Sequence, residues 1–140
     1  MADDIQLVTQ ANQNFYRVFE TLKIAEMEKV WARDVEIQCG HPGWRMLRGW
    51  GPVMESWQRI FENTPSMKFI LTDVKVEVHG DLAWVTLYEN LSSSVQGQNY
   101  TASVLTTNMF QRSADGWRMI LHHGSSVSQP PDTDEISTVH

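Results

Sequence analysis

The first third of the chain carries apolar residues at intervals of three and four. Such spacing places them on one side of a helix, and Asp3 or Asp4 can cap its start. The positions are Val8, Ala11, Phe15, Val18, Phe19 and Leu22. A shorter set with the same spacing, Ile24, Met27, Val30 and Trp31, follows Lys23. The pattern therefore predicts two helices that pack against each other across a tight connection.

Residues 35–39 alternate between apolar and polar side chains, which predicts a short strand that ends at Gly40. After a loop at residues 41–44, the helical spacing returns from Trp50 onward. Pro52 is tolerated in the first turn, and Pro65 lies beyond the end. A third helix is therefore expected between them.

After Pro65 the period changes to two, which is typical of β-strands. Strands are predicted at residues 70–78, 82–91, 100–111 and 117–127, with turns between them. Three helices followed by an antiparallel meander predict an α+β fold with the helices on one face of a curved sheet. Because long twisted strands curl around what covers them, we expect a conical space between helices and sheet that could hold a ligand.

The chain has 140 residues, which fits a single domain at residues 1–127. Residues 128–140 contain two prolines and three acids, with no lysine, arginine or apolar period. This composition predicts a flexible acidic tail.

Charge and composition narrow the possible partners. Eleven basic against seventeen acidic residues give a net charge of −6, which argues against binding to nucleic acid or to an anionic membrane. No apolar run approaches the roughly 18 residues that span a bilayer, and the start has no signal-peptide pattern. Since the single cysteine, Cys39, cannot form an intramolecular disulfide, a reducing cytoplasm is expected.

Six tryptophans, five phenylalanines and three tyrosines are a heavy aromatic load for this length. Such rings either fill a core or line a cavity. Trp44, Trp57 and Phe61 are candidates for an aromatic wall around a planar ligand. The spacing of four between Trp57 and Phe61 is explained more simply by a packed helix face, and one residue can serve both purposes.

Histidines are the first candidates for acid–base chemistry. His41 follows Gly40 and precedes Pro42, where a rigid turn could hold its ring over a pocket mouth. The alternative is a loop histidine bonded to local backbone. His122 and His123 are adjacent in a strand, so one of them faces inward. The apolar bulk of residues 117, 119 and 121 favours His123, unless a β-bulge reverses the order.

The remaining chemistry is sparse. The histidines, at positions 41, 79, 122, 123 and 140, lack the spacing of metal ligands, so neither a metal nor another cofactor is predicted. Cys39 could act as a nucleophile with His41 or His123, but a lone strand cysteine more often packs as a small apolar residue.

Several short motifs occur in a recognisable order. They are Phe15-Tyr16, Trp31-Ala32-Arg33-Asp34, Cys39-Gly40-His41-Pro42-Gly43-Trp44, Leu47-Arg48-Gly49, Gly116-Trp117 and His122-His123-Gly124-Ser125. Over residues 5–127 this order resembles the SnoaL-like branch of the nuclear transport factor 2-like superfamily. The resemblance implies a cone-shaped α+β barrel with a deep pocket, commonly dimeric. Members include steroid isomerases, polyketide cyclases, dehydratases and non-catalytic assembly modules, so the fold alone does not give the reaction.

The resemblance to the steroid isomerases can be followed residue by residue. They bind an oxyanion with a tyrosine on the first helix and a protonated aspartate on a late strand. Tyr16, or its neighbour Phe15, matches the tyrosine, and Asn108 matches the aspartate and still donates a hydrogen bond. Their catalytic base falls on or beside Cys39, where this sequence offers no carboxylate.

Two functions follow from these observations. The first is an isomerase, cyclase or dehydratase acting on an apolar carbonyl compound, in which His41 or His123 moves a proton while Tyr16 and Asn108 stabilise an enolate oxygen. The expected ligand contacts are Phe15, Phe19, Cys39, Trp44, Trp57, Phe61 and His122. The second is a non-catalytic binding or assembly domain similar to the association domain of calcium/calmodulin-dependent kinase II, whose final His-x-Ser pattern matches His123 and Ser125.

A homodimer is also expected. A flat face suited to a second copy of the chain could form on the threonine-rich strand. Its predicted residues are Thr101, Ser103, Thr106 and Thr107, with Tyr88 or Leu87 nearby.

Overall fold

Residues 3–128 are described by a computed structural model of the protein. The helices are α1 (Asp4–Thr21), α2 (Ile24–Glu28) and α3 (Trp50–Glu62). The strands are β1 (Gln38–Gly40), β2 (Leu47–Arg48), β3 (Met67–His79), β4 (Leu82–Val95), β5 (Gln98–Ser113) and β6 (Gly116–Val127). The predicted acidic tail lies outside the described residues from position 129 onward.

Helix α1 forms where the apolar spacing predicts it. The Asp3 carboxylate caps its start by accepting a hydrogen bond from the Gln6 backbone at 2.7 Å. Helix α2 is shorter than predicted, because the chain beyond it turns to pair with β6. There the Met119 N–H donates to the Val30 carbonyl, and the Ala32 N–H donates to the Met119 carbonyl. Trp31 is consequently buried beside the sheet instead of lying on a helix.

The six strands form one sheet in the order β2-β1-β6-β5-β4-β3. The four long strands form the predicted antiparallel meander, and β1 joins β6 in parallel. Only residues 38–40 of the predicted first strand pair in this way. The α+β prediction with a curved, mostly antiparallel sheet is confirmed. The sheet is open, with β2 and β3 at its edges, so the predicted closure into a barrel is wrong.

A β-bulge in β6 decides which histidine faces the helices. Opposite β5, Met109 pairs with Leu121 but Phe110 pairs with Met119, so Ile120 is an extra residue. Because one added residue reverses the alternation, Met119 and His122 are both buried while His123 is exposed. The prediction that His123 faces inward is wrong for this reason.

The face of the sheet turned away from the helices is called the outer face here. It carries the side chains of Tyr88, Thr101, Ser103 and Thr107, four residues of the predicted dimer face, together with His123. Leu87 and Thr106 do not belong to it, since both point inward and are buried. Successive side chains of a strand point to opposite faces of the sheet, and these two belong to the set that faces the helices.

Aromatic rings fill much of the space between helices and sheet. Phe19 packs edge-to-face on Trp57 with ring centroids 4.8 Å apart, and Phe15 meets Trp57 at 5.8 Å. The sizeable hollows found among the described residues lie at the margins instead: between α1 and β3, beside α3, and at the far ends of the long strands. Within the same residues, no helix is long and apolar enough to cross a membrane.

Candidate functional site

Five polar side chains meet in the interior between α1 and the sheet. Asn12 and Tyr16 lie one turn apart on α1, and Glu89, Asn108 and His122 point inward from β4, β5 and β6. Each is at least 96% buried. Asn108 and His122 are direct cross-strand partners, which sets their side chains next to each other. We call these five residues the polar network.

The hydrogen bonds of the polar network all donate in one direction, from His122 toward Glu89. His122 Nδ1 and Asn108 Oδ1 are 2.6 Å apart, and since the amide oxygen only accepts, the histidine donates. Asn108 Nδ2 donates to Tyr16 Oη at 3.1 Å and to Asn12 Oδ1 at 2.9 Å. Tyr16 Oη in turn donates to Glu89 Oε2 at 2.5 Å. The chain of donors that starts at His122 therefore ends on the Glu89 carboxyl group.

Burial changes the acidity of Glu89 and of Tyr16. Loss of hydration raises the pKa of Glu89 to about 7, although the hydrogen bond from Tyr16 opposes this rise by favouring the carboxylate. The pKa of Tyr16 lies well above its usual value, first because of burial and then because of the Glu89 charge. Near neutral pH, Glu89 can therefore both accept and release a proton, while Tyr16 remains a neutral donor.

The buried histidines are neutral. Burial lowers the pKa of His122 to about 3, with smaller contributions from the charges of His41 and His123. It lowers the pKa of His41 to about 4. At neutral pH neither ring carries a positive charge, and each serves as a hydrogen-bonding group of fixed tautomer.

His41 belongs to a second polar group that includes Ser56 and Cys39. The Ser56 hydroxyl donates to the Val53 carbonyl at 2.6 Å, so its oxygen accepts from His41 Nε2 at 2.9 Å. Cys39 Sγ lies 3.5 Å from His41 Nε2, and burial raises the pKa of its thiol. A thiol of raised pKa is a poor nucleophile, which agrees with its interpretation as a small packed residue.

Trp57 joins the two polar groups. Its ring packs against His41 at 4.7 Å and against His122 at 5.7 Å. The predicted aromatic contacts Phe15, Phe19 and Phe61 surround it. Trp44 lies at the margin, 41% exposed, and packs edge-to-face on His41 at 4.9 Å. The predicted site residues thus form one contiguous cluster, from which only His123 is turned away.

Two surface depressions border the polar side chains, one at Asn12 and the other at Ser56. A groove of about 330 Å³ between α1 and β3, the α1–β3 groove, is lined by Thr9, Asn12, Gln13, Leu71, Val74 and Val76. A smaller one of about 160 Å³ beside α3 touches Ser56 and Trp44. The polar network therefore borders a groove at Asn12. Within residues 3–128, no group of three or more histidine, cysteine or acidic side chains is placed to hold a metal.

Glu89, Asn12 and Ser56 are site residues that the motif comparison does not reveal. Glu89 points inward from β4, as Val85 and Leu87 do. A carboxylate at the position where an alternating strand should carry an apolar residue is a sequence signal of a buried acid. Asn12 follows Val8 by four residues and so falls on the apolar face of α1. Ser56 is a similar polar residue on the buried face of α3.

Known proteins with similar sequences and structures place this arrangement in a family. A solved structure from Streptomyces avermitilis, a candidate dehydratase of the NTF2-like family, is 37% identical and covers 90% of this chain and 97% of that one, with a TM-score of 0.85. A candidate calcium/calmodulin-dependent protein kinase type II association domain from Thiobacillus denitrificans is 28% identical over 84% of this chain and 93% of that one, with a TM-score of 0.71. Both have the same α+β fold.

The family model for the SnoaL-like domain matches residues 8–129, and the chain belongs to that family. Among curated proteins, the F-box protein SKIP8 of Arabidopsis thaliana is 26% identical over 118 residues, which cover 84% of this chain and 48% of that protein. The chain spans about half the length of this relative.

The raised pKa of Glu89 predicts a pH-dependent stability that Glu89→Gln removes. A group whose folded pKa exceeds its unfolded value of about 4.5 stabilises fully below that pH, and the contribution is lost as the pH rises through about 7. Between pH 4 and 8, wild type should lose on the order of 3 kcal/mol relative to Glu89→Gln in urea unfolding. The histidine contributions are common to both proteins and cancel in the difference.

Glu62→Gln, at the exposed end of α3, is the matched control and should track wild type at every pH. Parallel curves for wild type and Glu89→Gln would contradict the raised pKa.

Proposed function

We propose that this chain is a dehydratase- or isomerase-type enzyme that acts on an apolar carbonyl compound and moves a proton with Glu89. The observation that carries the proposal is the buried Glu89 carboxyl group, 2.5 Å from Tyr16 Oη, with a pKa of about 7. A general base works best when its pKa lies near the working pH. Glu89 supplies the carboxylate that is missing beside Cys39.

In the dehydratase reaction, the proton that Glu89 removes from the substrate leaves again in the water that is released. The Glu89 carboxylate removes the proton α to the carbonyl of a β-hydroxy compound, and the C–H electrons form an enolate. Asn108 donates a hydrogen bond to the enolate oxygen, since the single proton of the Tyr16 hydroxyl is already donated to Glu89. When the carbonyl re-forms, a C=C bond forms and the β C–O bond breaks. The hydroxyl then leaves as water with the proton held by Glu89. An isomerase differs only in returning that proton to another carbon.

In this mechanism the base is Glu89, and not one of the histidines predicted from the sequence. His41 and His122, with pKa values of about 4 and 3, are weak bases at neutral pH. His122 instead acts through Asn108, whose orientation it fixes at 2.6 Å. The 37% identity with the candidate dehydratase, over 97% of that chain, supports the same reaction class.

Turnover assays on β-hydroxy ketones and β-hydroxyacyl thioesters test the proposal, with formation of the conjugated product followed by absorbance. Glu89→Gln should lower kcat by about 10²- to 10⁴-fold, because the amide cannot take a proton. Tyr16→Phe should lower it by a smaller factor, since it removes one donor. In wild type, kcat/KM should rise with pH through about 7 as Glu89 loses its proton.

His123→Ala separates the two assignments of the base. The His123 ring lies on the outer face, so turnover should remain close to wild type, as in Glu62→Gln. Full activity in Glu89→Gln, or loss of activity in His123→Ala, would contradict the proposal.

A second candidate function is a non-catalytic assembly domain that dimerises through the outer face. One observation favours it: Leu105, near the middle of that face between Tyr88 and Ser125, is an apolar side chain that is 44% exposed. A second copy of the chain could cover it. The 28% identity with a candidate association domain is consistent with this role.

Sedimentation equilibrium at micromolar concentration should show a dimer for wild type and a monomer for Leu105→Lys, because a buried unpaired charge disfavours association. Ile5→Lys is the matched control, because it introduces the same charge at an exposed apolar residue on α1. This variant should remain dimeric. A monomeric wild type would exclude the dimer. A dimer that shows no turnover on any of the compounds above would favour assembly over catalysis.

A further inference from the structure

We infer that Thr106 is a positioning residue for Glu89: its hydroxyl donates a hydrogen bond to the ionised carboxylate and accepts one from the protonated carboxyl group. Thr106 thereby holds Glu89 in one orientation while a proton arrives and leaves. The catalytic meaning of this bond rests on the proposed function, whereas the bond itself is a property of the free protein.

The register of the sheet places Thr106 beside Glu89. Thr106 points inward from β5 and is 1% exposed. Its direct partner on β4 is Leu87, and the direct partner of Glu89 on β5 is Val104. Thr106 and Glu89 are therefore diagonal neighbours on one face of the sheet. Long side chains such as glutamate can span that separation.

The hydroxyl of Thr106 is buried and has no hydrogen-bond partner among residues 3–128. A buried hydroxyl without a partner is unfavourable and needs an explanation. The strands on either side offer it no side-chain acceptor directly opposite. Leu87 is apolar, and Gly124 on β6 has no side chain; a Cβ atom there would lie 3.4 Å from Thr106 Oγ1. An acceptor must therefore come from another inward-pointing residue.

The acceptors favoured by this position are the Glu89 carboxyl group and the Tyr16 hydroxyl. The next inward residue of β5, Asn108, has its donors and its amide oxygen already engaged within the polar network. Burial raises the pKa of both Glu89 and Tyr16, and the Thr106 hydroxyl opposes that rise in each, so it lies close to both. Of the two, ionised Glu89 is the stronger acceptor, because it carries a full negative charge.

A hydroxyl group can serve Glu89 in both protonation states, because it is both a donor and an acceptor and its hydrogen rotates to suit. When Glu89 is ionised, Thr106 donates to the carboxylate, and the charge makes this bond stronger than a neutral one. When Glu89 has taken the substrate proton, the Thr106 oxygen accepts from the carboxyl O–H. The bond thus reverses its direction, and the carboxyl group stays in place.

The other titratable side chains buried in this interior are Tyr16 on α1, Cys39 on β1, His41 in the loop after β1 and His122 on β6. Burial raises the pKa values of Tyr16 and Cys39 above their usual ranges. It lowers those of His41 and His122 to about 4 and 3. Glu89 is therefore the group of this set that titrates between pH 5 and pH 9, so its titration can be followed without overlap.

The test is an NMR titration of the Glu89 carboxyl carbon in the free protein. In Thr106→Val, which keeps the shape but loses the hydroxyl, the apparent pKa should rise from about 7 by about one pH unit. Thr106→Ser keeps the hydroxyl and should titrate close to wild type. Thr107→Val is the matched control, because it makes the same change at the next residue of β5, on the outer face. It should leave the titration unchanged.

In turnover assays, the pH profile of kcat/KM should move upward with the Glu89 titration in Thr106→Val and return in Thr106→Ser. A purely structural role would lower activity without moving the profile.

An unchanged Glu89 titration in Thr106→Val, or an equal rise in Thr107→Val or Thr106→Ser, would overturn the inference. If the valine variant does not fold, Thr106→Ala takes its place, and failure of both to fold would assign Thr106 a structural role and equally overturn it. The titration is read without substrate. A rise in Thr106→Val together with full activity in Glu89→Gln would therefore refute the proposed catalysis and leave the Thr106–Glu89 bond intact.

Discussion

The hydrogen bond between Tyr16 and Glu89 is the interaction on which the interior of this domain depends. It joins α1 to β4 across 73 residues of sequence, inside a core where water is excluded. A buried carboxyl group is costly unless it is protonated or hydrogen-bonded. Phe15 and Phe69 pack on the Tyr16 ring and hold its hydroxyl toward Glu89. The stability of the fold and the chemistry that we propose therefore depend on the same proton.

Around this bond, packing decides which groups can carry a charge. Trp57 and its aromatic neighbours fill the space that a curved sheet would otherwise leave open, and they keep His41 and His122 neutral by excluding water. The remaining polarity is confined to a narrow network whose donors point toward Glu89. That network borders the surface at Asn12, in the α1–β3 groove.

The sequence predicts the elements of this fold better than its site. Periods of 3.6 and two locate α1, α3 and the four long strands, and the motif order points to Tyr16 and Asn108. The alternation of inward and outward side chains gives the wrong direction for His123, because the extra residue Ile120 reverses it. Nothing in the composition of the strand indicates this bulge. Glu89 is missed because a charged residue in a long strand is ordinarily solvated, and its partner lies on a distant helix. Its place among the inward-pointing apolar residues of β4 is the sequence signal for it, and its hydrogen bond with Tyr16 follows only from tertiary packing.

The most direct measurement of this account is an NMR titration of the Glu89 side-chain carboxyl carbon, assigned by comparison with Glu89→Gln. Glu89 should titrate with an apparent pKa near 7 in wild type. Its pKa should be higher still in Tyr16→Phe, where the hydrogen bond that favours the carboxylate is lost. A wild-type midpoint near the ordinary glutamate value of about 4.3, unchanged in Tyr16→Phe, would contradict it.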